Sequence, residues 1–468
     1  MIEMRLAEVA AVTGGRLHRA TGDERVTAVA FDSRAVGPGG LFAALPGERV
    51  DGHDFAAAAA SQGAAVLAGR EVDAPAVVAP PVPAGSLAAG SYLAATDRDG
   101  SGAAVLAALA VLARSTVERV AGLAVVGVTG SSGKTSTKDL LAAVLASLGP
   151  TVAPTGSFNN ELGLPMTALQ VDAGTRHLVL EMSSRGPGHI AALCRVAPPR
   201  IGVVLNVGSA HLGEFGSREG IAAAKGELVE ALPPDGVAVL NADDPLVAAM
   251  ASRTAARLVT VGRSAAADVR ADGVTLERGR ARFQLVAPAG QAEVALQLVG
   301  PHHVGNALAA AAVALELGAT PAGVAESLSA AAPVSRWRME VAERADGVTV
   351  VNDAYNANPE SMRAALEALV GLAGPRRTWA VLGPMAELGE LAAAAHTAVA
   401  DAARELRVGQ VLAVGAPEYG ARTVPDAAAA AEVLAVELRP GDVVLVKASR
   451  AAGLERVAQA LLAAGATR

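Results

Sequence analysis

A chain of 468 residues with a formal net charge of −7 is long enough for about three domains of roughly 150 residues, and its acidity argues against a polyanionic partner. Two Trp, three Tyr and six Phe leave few rings for stacking bases, which excludes nucleic-acid binding as a main role. The single cysteine, Cys194, excludes an intrachain disulfide framework and a cysteine-rich metal site, and it fits a reducing compartment. The opening "MIEMRLAEVAAVTGG" carries Glu3 and Glu8 and lacks a basic-then-apolar leader pattern. The longest apolar run, "GAAVLAALAVLA" from Gly102, is about half the length that spans a bilayer. A cytoplasmic protein without a membrane span is expected.

Residues 1–100 read as a small mixed α/β unit around "VTAVAFDSRAVGPGGLFAALPGERVDGHDF", closed by the Pro/Gly/Ser-rich stretch "APPVPAGSLAAGSYLAATDRDGSG". A boundary near residue 100 follows. Beyond it, apolar and β-branched residues from Leu123 to Val128 form a buried strand pattern, and Gly130, Ser131, Ser132 and Gly133 impose a tight turn. Lys134 and Thr135 come next, then a helical series of Leu140, Leu141, Val144, Leu145 and Leu148 that Gly149 and Pro150 stop. Such a strand, glycine turn and helix leave backbone N–H groups and a positive helix end facing one anion. Lys134 adds a charge, and Thr135 a hydroxyl suited to Mg²⁺. The glycines fall at 127, 130 and 133, so the spacing is a variant of the usual phosphate loop. A nucleoside triphosphate is the expected ligand.

Further strands are expected at "HLVLEMSS", "IGVVLNVGSAH", "GVAVLNADDP" and "ARLVTVG", alternating with helices, which means βαβ units and a mainly parallel sheet. Glu181 and His211 close two of these strands, where ligands bind in open parallel sheets. Glu181 suits Mg²⁺, although either residue could be a loop or capping group. On "SREGIAAAKGELVEAL", Lys225 falls in the apolar series Ile221, Lys225, Leu228, Leu232. Its amine either snorkels to water or serves a site. Residues 265–300 are less regular and compatible with antiparallel strands, and "VGNALAAAAVALELGA" is a helix. His302 and His303 lack further ligands in helical register and read as surface or capping groups, whereas Asn306 can read an adenine edge. From residue 333 a second series of strands, at "VTVVNDAY", "TWAVLG", "QVLAVG" and "DVVLVKASR", makes a separate α/β domain. Arg338, Asp353, Tyr355, Asn356 and Asn358 gather polar groups there, which turn chemistry alone could also explain.

Taken together, "DSRAVGPGGLFAALPGERVDGHDF", "GVTGSSGKTS", "NNELGLPMT", "LNVGSAHLGEFGSREGIAAAKGEL", "NDAYNANPESM" and "VLVKASRAAGLERV" resemble the Mur ligase family, in order and over nearly the whole chain. The blocks look most like those of the member that adds the last amino-acid unit. The resemblance implies three domains: a small mixed α/β uridine-nucleotide domain at 1–100, a P-loop-type parallel-sheet ATPase domain at 101–332, and a Rossmann-like α/β domain at 333–468. It implies a ligase that forms a carbon–nitrogen bond through an acyl phosphate, with UDP-N-acetylmuramoyl-tripeptide and D-alanyl-D-alanine as substrates, ATP, and two Mg²⁺ sites. By the same resemblance Gly130, Ser131, Ser132, Gly133, Lys134 and Thr135 cradle ATP, and Asn306, Arg338 and Asp353 contact the nucleotide. Thr135 and Glu181 hold one Mg²⁺ and His211 a second, helped by Lys225 if carbamylated. Ser33 and Arg34 touch the uridine nucleotide, and Asn159 and Asn160 the muramoyl peptide. A monomer suffices.

Three positions depart from the family pattern. Ser183 and Ser184 stand where "GA" is expected, Pro384 where an acidic residue is usual, and Ala448 where glycine is usual. The last two bear on the incoming amine. Two other readings are a diverged ligase joining a different amine and carboxylate, and a nucleotide-dependent switch without ligase chemistry.

Overall fold

The structure is a computed structural model that describes residues 1–83, 91, 93–209 and 212–465, with Leu212 and Gly465 described by backbone alone. Two compact units are present. The first comprises Met1–Val128, Gly149–Gly202 and Glu227–Gly236, and the second Thr129–Leu148, Val203–Gly226 and Val237–Arg468.

In the first unit, four short parallel strands, Ala28–Ala30, Gly40–Ala43, Ala65–Ala68 and Ala76–Val78, lie in that order, and Arg16–His18 joins the last of them antiparallel. Small and β-branched residues let these strands bury one face on Val36, Phe42, Val66 and the helix Ala56–Ser61. The apolar run near residue 100 is longer as a helix than as a sequence pattern. It spans Ser101–Glu118, started by Asp97, whose carboxylate accepts from the N–H groups of Gly102 and Ala103. This is the one helix among the described residues long and apolar enough to cross a membrane, and about two thirds of its apolar window is buried inside the protein. The strands Thr151–Val152, His177–Glu181 and Ala124–Thr129 run parallel side by side, as the alternation of strand and helix predicts.

In the second unit, the helix Lys134–Ala146 follows the glycine turn. Val237–Asn241, Arg257–Gly262 and Val269–Glu277 pair in parallel, and the less regular stretch is an antiparallel meander of Val269–Glu277, Arg280–Ala287 and Gly290–Val299. The alanine-rich helix spans His303–Glu316 and is almost wholly buried, which its small side chains permit. The remaining sheet has the order Glu340–Glu343, Thr349–Asn352, Val443–Lys447, Thr378–Leu382, Gln410–Val414, Arg422–Val424, parallel except for the first. Helices Pro359–Ala373 and Ala392–Glu405 cover one face, and Ala427–Glu437 and Glu455–Gly465 the other. A doubly wound sheet results, with Asp353, Gly383 and Ala448 at the carboxyl ends of neighbouring strands.

Candidate active site

The phosphate loop is the most constrained part of the second unit. Gly133 caps the helix Lys134–Ala146 at φ +83°, and a Cβ there would sit 2.6 Å from Asn306 Oδ1. Only glycine permits both the backbone conformation and the close approach of Asn306. Asn306 is held in turn, its Nδ2 donating to His303 Nδ1 at 3.3 Å. The loop is braced by Asn206, whose carbonyl and side chain accept from the N–H groups of Ser131 and Ser132 at 3.1 and 2.9 Å. Asn206 Nδ2 returns a bond to Ser132 O at 3.1 Å. Ser131 Oγ accepts from Gly208 N–H at 2.9 Å, and Asn358 Nδ2 donates to Ser131 O at 3.4 Å. Lys134 Nζ donates to Gly130 O at 2.7 Å, folded back over the turn it would otherwise reach across.

Besides Lys134, an arginine and a buried lysine amine approach this loop. Arg338 donates to Thr135 Oγ1 at 3.2 Å, stacks 4.1 Å above the Tyr355 ring, and has its Nε buried with no hydrogen-bond partner among the described residues. The neighbours on both sides, Trp337 at φ +58° and Met339 at φ +50°, are in the left-handed region, a conformation that side chains other than glycine adopt at a cost. Lys225 is buried on the helix Arg218–Glu230, beside the buried Ile221 and Leu228. Burial, reinforced by the positive charge of Lys134, pushes its amine well below the usual lysine range, so the amine is driven toward its neutral, nucleophilic form. Lys225 is only 5% exposed, which counts against an amine that snorkels to water. Asp353 is engaged twice, accepting from Met339 N–H at 3.1 Å and from the buried Lys447 at 2.5 Å. Of the surface or capping roles expected of the two histidines, His302 takes the N-cap position of the helix His303–Glu316, whereas His303 is not at the surface. Their rings lie 4.2 Å apart, His303 is buried, and lost hydration pushes His302 down to about 4.

The first unit carries a second polar cluster. Glu181, buried at the end of its strand, accepts at Oε1 from Ser157 Oγ at 2.9 Å and from Asn159 Nδ2 at 2.7 Å. Ser183 Oγ lies 3.0 Å from both the carbonyl oxygen and Oδ1 of Asn159. The departure from the family pattern at Ser183 thus ties to the Glu181 carboxylate through Asn159. Asn160 turns instead to its own chain, accepting from Leu162 and Gly163 N–H ahead of the helix Gly163–Ala168. Arg34 is exposed and forks onto Asp32 at 2.9 and 2.8 Å, which holds the Asp32 carboxyl down to about 2. Ser33 O accepts from Gln62 Nε2, and neither Ser33 nor Arg34 shares a hydrogen bond with Asn159 or Asn160. His211 lies outside the described residues. Among the described residues no group of three His, Cys, Asp or Glu side chains is poised for a metal. The oxygen donors at Thr135 and Glu181 are of the hard type that Mg²⁺ takes.

A glycine cradle at a helix start, a lysine, an arginine and a buried amine are the kinds of group that suit a nucleotide phosphate and the charge that develops in phosphoryl transfer. Three family models match the chain: "Mur ligase family, catalytic domain" over residues 25–111, "Mur ligase middle domain" over 128–314, and "Mur ligase, glutamate ligase domain" over 337–450. The chain belongs to the Mur ligase family. The UDP-N-acetylmuramoyl-tripeptide–D-alanyl-D-alanine ligase of Mycobacterium tuberculosis is 55% identical to this Mur ligase, over 99% of this chain and 98% of that one. The ligase of the same name from Escherichia coli is 34% identical over 98% and 99%. Among solved structures, MurF from Acinetobacter baumannii superposes with a TM-score of 0.84 at 30% identity, covering 98% of this chain and 99% of that one. MurF ligase from Thermotoga maritima, in complex with ADP, superposes with a TM-score of 0.77 at 31% identity, covering 94% and 97%.

Several residues of this Mur ligase site escaped the sequence reading. Asn206 sits inside "LNVGSAH", where only the histidine drew notice, and its position at a strand end was the available signal. Lys447 ends a strand of the last domain, and a lysine closing an otherwise apolar run was a signal of the same kind. Glu360 and Ser157 carried none, since the first is an ordinary acidic residue in the first turn of a helix and the second one polar residue in a polar loop.

Proposed function

We propose that this chain joins D-alanyl-D-alanine to UDP-N-acetylmuramoyl-tripeptide with hydrolysis of ATP to ADP and phosphate, giving the pentapeptide precursor of the cell wall. The observation that carries this reading is 55% identity, over 99% of the chain, to ligases named for that reaction.

In this reading the substrate carboxylate attacks the γ-phosphate of ATP to give an acyl phosphate, and the amine of the dipeptide then displaces phosphate to form the amide. Lys134 and Arg338 stabilise charge on the transferring phosphoryl oxygens, while the N–H groups of Gly130–Thr135 position the polyphosphate. Asn306 and Asp353 orient the nucleoside. Thr135 and Glu181 are oxygen donors proposed for Mg²⁺, with His211 proposed for a second ion. Burial favours the neutral amine of Lys225, the form that adds CO₂, and a carbamate there would put an anion able to help hold that ion where an uncharged amine is favoured. Ser33, Arg34, Asn159 and Asn160 are proposed for the uridine and muramoyl parts. Domain boundaries at 1–100, 101–332 and 333–468, a cytoplasmic location, a monomeric state and the lack of a membrane span complete the reading.

The test is phosphate release from ATP with UDP-N-acetylmuramoyl-tripeptide, with and without D-alanyl-D-alanine, together with the product mass. Release that needs both substrates and yields the pentapeptide mass is expected. Release indifferent to the dipeptide would instead leave a ligase for another amine, to be sought around Pro384 and Ala448.

A further inference from the structure

The segment Asn358–Ser361 starts the helix Pro359–Ala373 and is rigid at its root. Asn358 Oδ1 accepts from Ser361 N–H at 2.9 Å, Ser361 Oγ accepts from Asn358 N–H at 3.0 Å, and Pro359 fixes the first helical position. From this root the Glu360 carboxylate reaches the loop that follows the strand Ile201–Val204. Oε1 accepts from Ser209 N–H at 2.7 Å, and Oε2 from Ser209 Oγ at 3.1 Å. The fit is close: a Cβ on Gly208 would lie 2.8 Å from Glu360 Cδ and 3.0 Å from each carboxylate oxygen. Gly208 N–H in turn donates to Ser131 Oγ in the phosphate loop, and Asn206, two residues earlier, holds the N–H groups of Ser131 and Ser132. Glu360 therefore touches no phosphate-loop residue itself, yet it clamps the strand-end loop that braces two sides of that turn.

We propose that Glu360 is a positioning residue for the ligase reaction, setting the loop 206–209 so that the phosphate loop presents its N–H groups to the nucleotide. This inference rests on the ligase reading above. A charged acceptor bound by two donors holds a backbone more firmly than neutral contacts do, so its removal loosens the brace rather than the fold.

The experiment compares wild type, Glu360→Ala, Glu360→Gln, Gly208→Ala and the double variant Gly208→Ala/Glu360→Ala. Turnover, KM for each substrate, ADP affinity by calorimetry and Tm are measured for each. Glu360→Ala is expected to lower kcat and ADP affinity by about 10-fold, with KM for the uridine-linked substrate and Tm nearly unchanged. Glu360→Gln, which keeps an acceptor for Ser209 N–H, restores most of the loss. Gly208→Ala pushes the carboxylate aside and reproduces the Glu360→Ala effect, while the double variant is no worse than either single one. Losses that multiply in the double variant, or a Glu360→Ala protein within twofold of wild type in kcat and ADP affinity, would overturn the proposal. So would a uniform loss in every parameter with a lowered Tm. If wild type turns over neither substrate, the ligase reading fails while the ADP affinities still decide the brace.

Discussion

Removing the Ser183 hydroxyl tests how the Glu181 carboxylate is held. Ser183 Oγ stands 3.0 Å from two acceptors on Asn159, but the carbonyl already accepts from Ser183 N–H at 3.0 Å. The single hydroxyl proton therefore belongs on Oδ1, and it fixes which end of the amide is which. With Oδ1 so engaged, Nδ2 faces Glu181 Oε1 at 2.7 Å and Ser157 Oγ at 2.9 Å. In Ser183→Ala the backbone bond survives and the amide loses one neutral hydrogen bond, a net loss of about 1 kcal/mol. At 25 °C that energy is roughly a fivefold shift in the population of the oriented amide. We expect kcat/KM to fall about fivefold and the Mg²⁺ concentration for half-maximal rate to rise by a similar factor, read by phosphate release across a Mg²⁺ titration. A variant identical to wild type in both readings would refute the argument. A loss beyond 100-fold would refute it too, since a hydroxyl acting only through Asn159 cannot account for so much.

Gly133→Ala forces a side chain into φ +83° and against Asn306 Oδ1. It should lower kcat/KM for ATP by at least about 10-fold and cost about 1–2 kcal/mol of stability, as measured by steady-state kinetics and denaturant unfolding. Arg338→Ala should lower kcat with little change in uridine-nucleotide affinity, and Arg338→Lys should not rescue it, because an ammonium cannot both stack on Tyr355 and reach Thr135. Rescue by lysine would mean that the charge alone matters. Lys225→Met should abolish turnover yet raise Tm near pH 7 when CO₂ is excluded. The Lys225 pKa is lowered in the folded protein, so below the ordinary lysine value of about 10.4 the unfolded chain binds more protons and folding is penalised. The Tm advantage of methionine should therefore shrink as pH rises toward that value, and an advantage independent of pH would count against a neutral buried amine.

Much of the fold was legible because period and punctuation agree. The strands at Ala124–Thr129, His177–Glu181, Thr378–Leu382 and Val443–Lys447 are short apolar runs bounded by polar or glycine residues, and all appear where the pattern puts them. The irregular stretch after residue 265 became an antiparallel meander, whose half-exposed strands dilute any apolar run. Lys225 was legible as a misfit in an apolar stripe, and its burial bears that out. The histidine pair was not. Nothing in "GPHHVGN" says that His303 turns inward to hold Asn306 or that His302 loses its water, because both depend on distant elements packing over the helix start. Ser183 stood out only as a departure from the family pattern and Glu360 not at all, since each acts through a partner that only the tertiary structure brings near.

The left-handed residues on either side of Arg338 set stability against rate. Trp337 and Met339 each hold a conformation that glycine would adopt without strain, so glycine at either relieves about 1–2 kcal/mol of backbone energy, which at Met339 the lost packing of a buried core side chain outweighs. The same exchange frees the chain on both sides of the guanidinium and widens the directions in which it points. A selection for heat resistance alone would therefore spare the buried Met339, any drift toward glycine would fall on the half-buried Trp337 and yield slower enzymes, and a selection for speed would keep both side chains.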